Sequence, residues 1–165
     1  MKALSLQLLA ALLIVFFIAG CASIFGSGSS QSVTYSSTIG TAWQTEIERY
    51  VPTILQLYGY TLRDQRIEHG FARFATNWEY RNLYPDEVEA GVVTARIRIT
   101  VESRSRGKTS FQSQEHERSS VSLTVENSFM MEDNDEWVAY EIGDGLQEFI
   151  RGLESEIRRQ LEIRI

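Results

Sequence analysis

A chain of 165 residues with 22 acidic and 16 basic side chains, formal net charge −6, is long enough for one domain with a core and too acidic for general nucleic-acid binding. Lys2 and Lys108 are its only lysines, so any cationic surface is built of arginine. The single cysteine, Cys21, excludes a disulfide within the chain.

Lys2 is the sole charge among the first twenty residues, and residues 3–19 are an unbroken apolar or weakly polar run. That is a charged n-region followed by an h-region. The run falls just short of the roughly 20 apolar residues of a spanning helix, so length alone leaves an uncleaved single-span anchor open. The flank decides otherwise. Ile18-Ala19-Gly20-Cys21 resembles the lipobox of bacterial lipoproteins: an aliphatic residue, two small ones, then cysteine. The resemblance implies cleavage before Cys21, acylation of its sulfur and amine, and membrane attachment through two or three chains, which anchor stably where one does not. Ala22-Ser23 is not the aspartate that retains such proteins at the inner membrane. The resemblance thus implies the outer membrane, facing the periplasm, with inner-membrane anchoring the alternative. Residues 1–20 read as a lipoprotein signal peptide. Residues 21–37 follow as the lipidated cysteine and a flexible tether, because Gly26, Gly28 and seven serines in 23–37 leave little apolar surface to offset the entropy of ordering. Residues 38–165 are expected to form one domain.

Within that domain, Ile39, Trp43, Ile47, Tyr50, Val51, Ile54, Leu55 and Tyr58 recur near a 3.6-residue period and predict an amphipathic helix over 38–59. Thr38 is placed to cap it and Gly59 to end it. Pro52 predicts a kink or a break. The period then changes to two. Strands are expected over 60–67 and 71–80 around the turn Glu68-His69-Gly70, with Ala72, Phe74, Thr76, Trp78 and Tyr80 sharing the inward face. Residues 81–91 read as a polar loop. In 92–103, Val93, Ala95, Ile97, Ile99 and Val101 alternate with Thr94, Arg96, Arg98, Thr100 and Glu102, the pattern of a strand with one buried and one wet face. A hairpin around Gly107 leads to Val121, Leu123, Val125, Asn127 and Phe129, in a strand that either fills 109–130 or covers its second half. An acidic loop over 131–136 precedes a closing amphipathic helix marked by Ile142, Leu146, Phe149, Ile150, Leu153, Ile157 and Leu161, for which Asp144 is a candidate cap.

Hairpin-linked strands between two helices predict an α+β two-layer sandwich: a four-stranded antiparallel sheet with the N- and C-terminal helices on one face. Trp43 on the first helix, "YGYTLRDQ", "FATNW", "TARIRITVE" and "SLTVEN" together resemble the helix-grip modules of the C-component lipoprotein of the outer-membrane β-barrel assembly machinery. The likeness covers most of residues 40–160. It departs from that family in having one module and no long unstructured lead segment, so it implies the architecture and not the partner.

Little in the chain suggests catalysis. His69 falls in a turn and His116 in the charged run "QEHER", neither beside a nucleophile motif, and Cys21 is committed to lipid. "EDNDE" at 132–136 lacks the glycine and terminal glutamate of a calcium loop. No metal, nucleotide or other cofactor is expected, nor an enzyme. The expected function is that of a non-catalytic, lipid-anchored envelope lipoprotein that meets another envelope protein as an interaction or assembly-accessory module. Arg96, Arg98, Arg104 and Arg106 are the candidate surface, a stripe suited to carboxylate or phosphate. The competing expectation is local pairing with Glu102, Glu115 and Glu117. The alternative function is a binding module for an apolar ligand or lipid held between helices and sheet by Trp43, Phe74, Trp78 and Phe149.

Overall fold

The computed structural model describes residues 32–105 and 118–162. The expected signal peptide, Cys21, most of the expected tether, the hairpin around Gly107, Arg106, Glu115, His116 and Glu117 lie outside these residues. In chain order the elements are β1 (Val33–Trp43), α1 (Gln44–Leu57), β2 (Leu62–Glu68), β3 (Phe71–Thr76), β4 (Glu79–Arg81), α2 (Pro85–Glu89), β5 (Val92–Ser105), β6 (Arg118–Met131), β7 (Asn134–Val138) and α3 (Asp144–Gln160).

The chain is an α+β protein whose seven strands form one antiparallel sheet with three helices packed against it. The strands run in the order β1-β6-β5-β3-β2, while β4 continues along β5 beyond β3, and β7 along β6 beyond β1. Seven strands replace the four expected. The additional ones are β1, β4 and β7, which sequence alternation assigned to a helix and tether, to the end of another strand, and to an acidic loop. Residues 33–37, expected in the tether, pair with 123–127 of β6. Tyr35 donates a hydrogen bond to Glu154 on α3 (3.0 Å), and the Ser37 hydroxyl donates to the same carboxylate oxygen. The ordered domain therefore begins before residue 38.

The period-two residues of β5 and β6 behave as expected except at Val93, which the alternation puts on the buried face: a register shift between Val92 and Thr94 buries Val92 in its place and leaves Val93 exposed. Ile97, Ile99, Val101, Val121, Leu123 and Val125 are fully buried, facing Ile47, Val51, Ile54 and Leu55 of α1 and Leu146, Ile150, Leu153 and Ile157 of α3 in one core cluster. Burial at about 25 cal/mol per Å² of apolar surface makes this layer the main source of stability. Helix α1 starts five residues later than a cap at Thr38 would place it: Trp43 is its N-cap residue, without a side-chain cap, and Pro52 sits inside one uninterrupted helix. Gly59 ends it as expected. With φ +85° it takes the left-handed conformation, while its N–H bonds Gln56 O (2.9 Å) and that of Tyr60 bonds Leu55 O (3.0 Å), a Schellman stop. Helix α3 begins at Asp144 after Gly143, and Asp144 makes no capping bond. The neighbouring glycine is a packing requirement, since a Cβ on Gly145 would lie 2.5 Å from the Tyr84 ring.

A smaller cluster, Val92, Ala95 and Phe129, fills the end of the sheet near α2. The segment expected as a polar loop builds the most buried ion pair there. Arg81 donates to both carboxylate oxygens of Glu87 (2.7 and 2.5 Å), and its Nε and Nη2 donate to Asn127 Oδ1 (3.2 and 3.1 Å). Glu87 also accepts the Tyr84 N–H (2.9 Å). The two side chains are 10% and 3% exposed.

Candidate functional site

Among the described residues all three helices pack on one face of the sheet, and no element covers the other. Which side chains reach that face depends on breaks in strand register. Ala75 pairs with Thr100, but Glu79 pairs with Ile97. Three residues of one chain thus oppose two of the other. Such an extra residue reverses the alternation beyond it. Thr76 fixes the break: its buried hydroxyl donates to Asn77 O (2.9 Å) and accepts the Ile99 N–H (3.0 Å). In consequence Phe74 stays in the core, whereas Trp78 and Tyr80 turn to the open face. This corrects the inward placement of both aromatics.

On the open face Arg96 lies between two indoles. Its guanidinium carbon is 4.7 Å from the Trp78 ring centroid and 4.0 Å from that of Trp137, and Tyr80 packs on Trp137 with centroids 6.0 Å apart. Arg98 also stacks on Trp78 (4.8 Å) and donates from Nε and Nη2 to the two oxygens of Glu126 (2.7 and 2.6 Å). The two arginines differ in their charge partners. The bonds to Glu126 push the Arg98 value up, whereas partial burial, reinforced by Arg98, holds that of Arg96 down. Among the described residues Arg96 has no carboxylate within ion-pair distance, and its Nε is buried without a hydrogen-bond partner. Stacking thus fixes a planar, charged fork that no carboxylate of the described residues neutralises.

Of the expected arginine stripe, Arg96 and Arg98 are held together by Trp78. Arg104 stands apart near the Phe71 ring (5.4 Å) and close to Glu102 (3.5 Å). The expected local pairing is therefore found for Arg104 with Glu102, while Arg98 chooses Glu126. The four residues proposed to line an interlayer pocket are not brought together. Phe74 is fully buried, Phe149 is half-buried against Tyr58 and Tyr60, and Trp43 faces outward beneath Arg118 (4.6 Å). Trp43 and Trp78 are thus corrected from core or pocket to the opposite face. A more apolar groove of about 480 Å³ runs instead between β1 and α3, beside Tyr35, Ile142 and Ile150.

Trp137 was missed as a site residue because the acidic run before it reads as a loop. Its only local signal is the tryptophan itself, in a charged setting. Among the described residues no group of three or more His, Cys, Asp or Glu side chains could hold a metal ion, and no helix is long and apolar enough to cross a membrane. No protein-family profile matches the chain, and no curated protein matches it in sequence.

Proposed function

We propose that this chain is a non-catalytic, lipid-anchored lipoprotein of the bacterial cell envelope that docks another envelope protein with the uncovered face of its sheet. The observation that carries the docking surface is the Trp78–Arg96–Trp137 stack. Tryptophan, tyrosine and arginine are the residues that dominate protein interfaces, and here the stack holds an arginine with no carboxylate at ion-pair distance among the described residues. The partner that fits offers a carboxylate to the Arg96 fork and an apolar side chain to the indole edges. The anchor rests on the lipobox resemblance and the outer-membrane reading on Ala22-Ser23 after the cysteine, with the helices over the sheet in a helix-grip-like arrangement. Because β1 starts at Val33, only residues 22–32 separate it from Cys21. Eleven residues span at most about 40 Å when extended, so the docking face works close to the bilayer.

The test is site-specific crosslinking from position 93, which is exposed, in the protein's own membranes. Expected is a defined adduct that Arg96→Ala and Trp137→Ala remove and that Arg159→Ala, on the far helix, leaves intact. An adduct indifferent to Arg96 and Trp137 would assign docking elsewhere. A second reading, an apolar ligand bound by the domain, is favoured only by the groove between β1 and α3. It predicts a lipid that copurifies and is lost on narrowing the groove by Gln147→Trp.

A further inference from the structure

A hollow of about 440 Å³ opens on the uncovered face where β2, β3 and β5 meet, lined by Arg63, Asp64, Arg73, Thr100 and Arg98. Its shape has a cause in the register. Leu62 pairs with Thr76 but Asp64 pairs with Ala75, so Arg63 is the extra residue of a bulge. In an unbroken strand two successive side chains point to opposite faces. The bulge lets both Arg63 and Asp64 border the same hollow, and the break after Ala75 on the neighbouring strand adjoins it. Bulges that re-aim side chains in this way concentrate beside binding sites.

The donors in the hollow are largely uncommitted. Arg98 spends Nε and Nη2 on Glu126, which leaves Nη1. Arg73 approaches Glu102 at 3.5 Å, through Nε. Arg63 has no carboxylate within ion-pair distance among the described residues. The nearly buried Thr100 adds a hydroxyl. Guanidinium groups arriving from three strands offer donors in several planes, more than the two oxygens of one flat carboxylate accept. A tetrahedral phosphate, with three terminal oxygens, matches them, and the remaining volume suits a small polar carrier.

We propose that this hollow binds a phosphomonoester, carried either by a small soluble molecule or by a lipid headgroup. It adjoins the Arg96 stack through Arg98, which also packs on Trp78, but uses neither Arg96 nor Trp137 and does not depend on acylation of Cys21. Asp64, the one acidic group among its lining residues, opposes the ligand's charge and so weakens its binding.

The test titrates the full chain with glycerol 3-phosphate by calorimetry at constant ionic strength, with glycerol as the uncharged control, and measures flotation with phosphatidic acid vesicles against phosphatidylcholine vesicles. Saturable binding is expected in at least one arm. Arg63→Gln and Arg73→Gln should each weaken it about tenfold, the loss of one charge-assisted hydrogen bond, and Asp64→Asn should strengthen it. Arg66→Gln, an equal charge change on the same strand outside the hollow, should leave it unchanged, and circular dichroism checks that each variant is folded. Binding in the vesicle arm that glycerol 3-phosphate competes away assigns the lipid source, and binding of glycerol 3-phosphate alone the soluble one. Absence of saturation in both arms, equal losses in Arg66→Gln and Arg63→Gln, or weaker binding in Asp64→Asn would overturn the proposal.

Discussion

Truncating Phe74 and Trp78 separately to alanine tests the register break that defines the open face. The residues are four apart in sequence and would share a face in an unbroken strand. Phe74 is fully buried among the largest core side chains, so its loss leaves a cavity in the main core cluster and should destabilise by about 3–5 kcal/mol. Trp78 is half-buried on the other face, where water fills the space it vacates. What it gives up is its stacking on Arg96 and Arg98, about 0.5–1 kcal/mol for each at a partly exposed site, so the expected loss is about 1–2 kcal/mol. For a domain of this size each kcal/mol corresponds to roughly 4 °C in melting temperature. Urea titration followed by circular dichroism gives both values, with equal slopes showing that the unfolded states are comparable. If Trp78→Ala loses as much as Phe74→Ala, the tryptophan lies in the core and the open-face site is misassigned.

Deleting residues 22–37 should lower the urea midpoint, because it removes the β1 residues that pair with β6 and leaves Glu154, 9% exposed, without Tyr35 and Ser37; an unchanged midpoint would return these residues to a tether. Glu87→Gln strands the nearly buried Arg81 charge and is expected to cost about 3–5 kcal/mol in the same assay; a loss below 1 kcal/mol would show that the pair is solvated. Burial raises the Tyr60 hydroxyl from 10.0 to about 12, so the folded state holds its proton more tightly than the unfolded state. Its contribution to stability is complete below pH 10 and falls, by on the order of 2 kcal/mol, as pH rises through about 12; Tyr60→Phe should flatten that decline, and a profile identical to wild type would remove Tyr60 as its cause. Cys21→Ser should abolish fatty-acid labelling and leave an unprocessed chain; undiminished labelling would sink the lipoprotein reading.

The sequence by itself determined the parts of this protein that depend on local period and local chemistry. Strands β5 and β6 alternate between branched apolar and polar residues, and the side chains of Ile97, Ile99 and Val101 are buried while Arg96 and Arg98 reach the open face, as the alternation requires. The stop of α1 at Gly59 and the apolar stripe of α3 were legible for the same reason: capping and 3.6-residue spacing act within a few residues. Tertiary structure alone decided the rest. Strand β1 alternates Val33, Tyr35 and Ser37 with Thr34 and Ser36, too polar to register as a strand until β6 supplies the hydrogen bonds and Glu154 the partner for two hydroxyls. The extra residues at Arg63 and between Ala75 and Glu79 are defined by counting against the neighbouring strand, a quantity that no single segment contains. Yet they determine the face on which Trp78 stands and let Arg63 join Asp64 at the hollow. Side-chain parity along a strand is local, but the register that can reverse it belongs to the pair of strands, so the open face emerges only when the sheet is assembled.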